Sequence, residues 1–119
     1  MRKVRKPLTP KVGWRATVTV KLGRKDAHYK NGLVAGAKIL ELFGDAATLL
    51  CLRETGGKNE GLFRAYSSVD FLKPAYAGDV IAATAVMTRV GNTSRTLRFV
   101  AKKGNVVICR AIGTVVVRR

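Results

Sequence analysis

The chain has 119 residues, 47% of them hydrophobic, and its 23 Lys and Arg against 7 Asp and Glu give a formal charge of +16. That length fits one domain with a modest core, and the hydrophobic share excludes disorder over most of it. No apolar run reaches transmembrane length without a charge, and the opening MRKVRKPLTPK lacks the apolar centre of a signal peptide, so a cytoplasmic protein is expected.

Residues 1–12 hold Pro7, Pro10 and a basic run, which reads as an arm preceding a single domain over 13–119. From Trp14 to Leu22 apolar and polar residues alternate strictly, the pattern of a half-buried strand. A loop from Gly23 to Asn31 follows, carrying Asp26, His28 and Tyr29.

From Leu33 to Leu52 nearly every residue is apolar or small, which predicts a helix from about Leu33 to about Arg53. The exceptions Lys38, Glu41, Asp45 and Thr48 are spaced three, four and three apart, one stripe of a helix. A helix apolar on most sides is a buried one, and twenty residues would run about 30 Å. Asn31-Gly32 is a turn signal before it, with Asn31 suited to cap the start. Gly56-Gly57 suits its end.

The rest reads as strand. Leu62 to Lys73 stops at Pro74, and the turn Tyr76–Asp79 leads into Val80–Val90. Gly91-Asn92 turns into Thr93–Lys102, and Lys103–Asn105 turns into Val106–Val117. Short turns favour antiparallel neighbours. One helix and about five strands therefore predict an α+β fold, the sheet wrapped around the helix. Cys51 and Cys109 sit in apolar segments and read as buried free thiols. One histidine and no CxxC pair predict no metal site.

The layout resembles the hotdog fold. Phe71-Leu72-Lys73-Pro74 with Gly78-Asp79 resembles the F-L-x-P-x-x-x-G-D segment of hotdog acyl-CoA enzymes, and Val90-Gly91-Asn92-Thr93-Ser94 resembles their V-G-x-T-S turn. Asp26-Ala27-His28-Tyr29, Leu33-Val34, Gly36-Ala37, Gly44-Asp45 and Gly61-Leu62-Phe63 with Tyr66 are similar to the β-alanyl-CoA and 3-aminobutyryl-CoA ammonia-lyases of amino-acid fermentation. In that family an acid is expected four residues after Gly-Asp, and here the position is Leu49. The resemblance implies a homodimer or larger homo-oligomer with active sites at subunit interfaces. It implies coenzyme A as part of the substrate and no permanently bound cofactor.

Elimination of ammonia from a β-aminoacyl-CoA needs a polarised thioester carbonyl, a base at the α-carbon and an acid for the leaving amine. The implied catalytic pair is His28 and Asp45. Gly32, Leu33 and Val34 are candidate amide donors, with Tyr29, Asn31, Glu41 and Tyr66 also against the substrate. Arg89, Gly91, Asn92, Thr93, Ser94 and Arg95 are placed to meet coenzyme A and its phosphates. For Asp45 the plainer role is a solvent-facing member of the helix stripe. The alternative activity is acyl-CoA thioesterase. A basic nucleic-acid-binding module ranks third, because it leaves the loop motifs without a role and the aromatics are not interleaved with the basic residues.

Overall fold

The computed structural model describes residues 6–27 and 29–118; the rest of the basic arm, His28 and Arg119 lie outside the described residues. In chain order the elements are β1 (Arg15–Lys21), β2 (Leu33–Val34), α1 (Gly36–Thr55), β3 (Leu62–Phe71), β4 (Ala75–Tyr76), β5 (Val80–Val90), β6 (Ser94–Lys103) and β7 (Val106–Val116). Five strands form one antiparallel sheet in the order β1-β5-β6-β7-β3. The long helix packs on one face, chiefly against β1, β5 and β6. This is the hotdog arrangement expected from the sequence.

Small residues let the helix sit close. Ala83 pairs with Ala101 in register, and Ala85 and Ala111 flank Phe99 on the neighbouring strands. All four alanines are buried, and so are Ala46 and Ala47 of the helix. Phe43 of the helix stacks on Phe99 with centroids 5.0 Å apart, and Phe63 and Tyr66 extend this aromatic cluster to β3. Burial of such side chains contributes roughly 1.5–3 kcal/mol each.

Four expectations change. The helix begins at Gly36, not Leu33, because Leu33 and Val34 pair as a strand with Tyr76 and Ala75. Asn31 does not cap it: Asn31 adopts φ 65° in the turn before β2, and the N-cap residue is Ala35. The helix is not enclosed on all sides, since Ala37, Glu41, Asp45 and Leu49 face outward. Finally, β3 and β5 are joined by a short link yet are not neighbours. The link carries β4 across, leaving β3 at one edge of the sheet and β5 beside β1 at the other. Of the arm, residues 6–12 form no helix or strand, and the Leu8 N–H donates to the Glu54 carbonyl at 3.0 Å.

Candidate active site

The start of α1 is chemically open. Ala35 contributes no side-chain cap, and the first turn holds no acid. Lys38 N–H donates to the Ala35 carbonyl at 3.0 Å. The amides of Gly36 and Ala37 precede any possible partner in their own helix, as at every helix start. Helix N-termini favour an oxygen carrying negative charge. Gly36 is bare for a packing reason: a Cβ there would lie 2.6 Å from Cε1 of Phe71, at the end of β3.

Two pockets flank this turn. One, of about 320 Å³, is mainly apolar, with Val34, Gly36, Ile39, Phe71, Leu72 and Ile108 among its walls and Lys73 as the charged group. The other, of about 270 Å³, is bounded by Asp26, Ala35, Ala37, Lys38 and Glu41. Lys38 Nζ lies 3.5 Å from both Asp26 and Glu41. The Gly23 N–H, 2.8 Å from Asp26, holds that carboxyl below its usual range, and Lys38 adds to the effect. Partial burial works against charge on Lys38, but Asp26 and then Glu41 outweigh it and raise its pKa.

The sequence-derived residues fall in separate places. Tyr29 is exposed in the loop before β2, and its N–H reaches the Leu33 carbonyl at 3.4 Å. Gly32 accepts the Ala77 N–H at 2.8 Å. With Leu33 and Val34 in a strand, the open helix-start amides belong to Gly36 and Ala37, three residues further on. Glu41 borders the polar pocket; Asp45 is exposed one turn beyond it, about 13 Å along the axis from Gly36 at 1.5 Å per residue. Tyr66 donates its hydroxyl to the Leu40 carbonyl at 3.1 Å, and burial pushes its phenol up to about 12. His28, the other half of the expected catalytic pair, lies outside the described residues.

The turn Gly91–Ser94 sits at the far end of the helix. Its neighbour Arg95 binds Glu54 there, about 27 Å from Gly36 along the axis. Arg95 is also a correction. Its side chain is 4% exposed, and it donates to both Glu54 oxygens and to the Gly91 and Ser94 carbonyls. It is a folding residue with little left for a phosphate. Arg89, Asn92 and Thr93 remain exposed, and a Cβ on Gly91 would strike Ser94 Oγ. Sequence reasoning placed Gly36 and Phe71 in motifs but gave them no part in the site, and it missed the contact between Lys38 and Asp26. The i,i+3 spacing of Lys38 and Glu41 was legible; the others are contacts between distant segments.

A family model described as the thioesterase superfamily matches residues 31–110. The chain belongs to the thioesterase superfamily. A 3-aminobutyryl-CoA ammonia lyase of Acetoanaerobium sticklandii is 40% identical over 120 aligned residues, covering 87% of this chain and 94% of that protein. The β-alanyl-CoA:ammonia lyase from Clostridium propionicum superposes with a TM-score of 0.78 at 27% identity, covering 90% of this chain and 87% of that one. A fluoroacetyl-CoA-specific thioesterase superposes with a TM-score of 0.79 at 15% identity, over 91% of this chain and 87% of that one. That last likeness is one of fold alone. Among the described residues no His, Cys, Asp and Glu group is placed to hold a metal, and no helix is long and apolar enough to cross a membrane.

Proposed function

We propose that this chain is a β-aminoacyl-CoA ammonia-lyase, releasing ammonia from a substrate of the 3-aminobutyryl-CoA or β-alanyl-CoA type to give the enoyl-CoA. The observation that carries it is the 40% identity to a 3-aminobutyryl-CoA ammonia lyase over nearly the whole of both chains. In the reaction a base removes the α-proton, that electron pair becomes the new carbon–carbon double bond, and the carbon–nitrogen pair leaves with the amine. Negative charge grows on the thioester oxygen meanwhile. The Gly36 and Ala37 amides are the donors for it, already oriented by the helix.

The base and acid are His28 and Asp45, drawn from two subunits. Asp45 lies too far along its own helix to reach a carbonyl at Gly36. Ten-residue β3 is a sheet edge with exposed Leu62, Phe63 and Phe71, a template for pairing with another strand. Antiparallel pairing of β3 with a second copy sets the start of one β3 beside the end of the other. The far half of the partner's helix and its Gly91–Ser94 turn then approach this helix start. Coenzyme A enters as part of the substrate, its phosphates meeting that turn and Arg89 from the partner. No cofactor is bound permanently, and the setting is cytoplasmic.

One feature favours thioester hydrolysis instead. Leu49, 46% exposed one turn beyond Asp45, stands where the lyase resemblance expects an acid. An assay with 3-aminobutyryl-CoA separates the two. Ammonia and an enoyl-CoA are expected; free thiol without ammonia would replace the lyase reading by the hydrolase one.

A further inference from the structure

We propose that the apolar pocket beside the helix start receives the alkyl end of the acyl group, and that it selects chains longer than 3-aminobutyryl. This rests on the thioester carbonyl lying at the Gly36 and Ala37 amides, as in the lyase reading above. Gly36 belongs both to that amide pair and to the pocket wall. With no side chain at position 36, the Phe71 ring closes directly on the helix start, so the residue that offers the amide and the ring that walls the pocket are in contact.

The two pockets divide the substrate by polarity. A charged amine placed among Val34, Ile39 and Ile108 would lose its water without gaining a partner. An alkyl chain placed against Asp26, Lys38 and Glu41 would gain little. So the amine turns to the polar side and the alkyl chain to the apolar side. Size sets the length. The pocket's volume of about 320 Å³ is far more than one methyl group occupies. The single methyl that ends a 3-aminobutyryl chain leaves most of this unfilled, and each further methylene moves apolar surface out of water.

The test uses saturated acyl-CoAs, which cannot lose ammonia. Butyryl-, hexanoyl- and octanoyl-CoA are titrated calorimetrically into the full-length protein. Affinity should rise about fourfold for each methylene that enters the pocket, then level off. Leu72→Trp and Val34→Phe, which fill the pocket from its mouth and its wall, should each flatten the series in variants that circular dichroism shows to be folded. A flat series in the wild type, or an unchanged slope in both folded variants, overturns the proposal. Turnover of 3-aminohexanoyl-CoA against 3-aminobutyryl-CoA should follow the same order. A rising binding series without ammonia release from any amino substrate leaves the pocket assignment standing and removes the lyase reading alone.

Discussion

Arg95 grips Glu54 with two hydrogen bonds, Nε to Oε1 at 2.7 Å and Nη2 to Oε2 at 2.8 Å, between residues 41 apart in sequence. The pair pins the turn before β6 to the last turn of the helix, and both side chains are almost fully buried. Removing one partner strands the other's charge, which costs about 3–5 kcal/mol. Arg95→Ala and Glu54→Ala should each lower stability by that much in urea unfolding. Arg95→Met with Glu54→Leu should lose less than either single change. Single variants as stable as the wild type would contradict the role.

Asp79 closes the turn before β5, accepting the Tyr76 N–H at 2.8 Å and pairing with Lys103 at 2.8 Å. The Lys103 hydrogen bond, and after it the Tyr76 N–H, hold its carboxyl below the ordinary value of 3.8. This contribution to stability is present above the ordinary value and is lost as pH falls through the lower, folded one. The wild-type melting temperature should therefore fall faster below about pH 4 than that of Asp79→Asn, the two curves drawing together as the pH falls further. Parallel curves would sink the assignment.

Cys51 and Cys109 are free, buried thiols, each pushed up to about 11 by burial. A thiol this far from ionising is a poor nucleophile. Neither should react with iodoacetamide at pH 8 in the native protein, and both should react once urea unfolds it. Mass spectrometry reads the outcome; rapid native labelling would count against their burial.

Gly36 and Phe71 are matched by shape. Gly36→Ala puts a methyl within 2.6 Å of the ring, so the ring must move or the helix start must shift. Catalytic efficiency should drop by roughly tenfold or more, since small displacements at a positioning element are costly. Gly36→Ala with Phe71→Ala should recover part of it. A single variant with wild-type kinetics would show that this approach does not matter.

His28→Ala and Asp45→Asn should each lower turnover by roughly a hundredfold or more if they work as an acid–base pair. Asp45 is exposed, so Asp45→Asn should melt where the wild type does. Mixing the two inactive variants should restore part of the activity, because a mixed dimer holds one intact composite site. A mixture that stays inactive while subunits demonstrably exchange would exclude a shared site.

The strands of the five-stranded sheet were legible because alternation is local: strict period two from Trp14 to Leu22 became β1 at Arg15–Lys21, and the bounds of β5 were read without error. The helix was legible for the same reason, from its apolar run and its period. Its start was not. Leu33 and Val34 are apolar enough to begin a helix, and only pairing with Ala75 and Tyr76, more than forty residues on, makes them strand. Arg95 was equally opaque, since an arginine after a turn looks the same in sequence whether it meets a phosphate or a buried carboxylate. So the sequence by itself determined the five strands of the main sheet, the helix, the family resemblance and the basic charge, all properties of neighbouring residues. The tertiary structure decided which amides are open at the helix start, which side chains are already committed, and which strand lies at the edge. Those depend on contacts between segments far apart in the chain, where no local spacing records the partner.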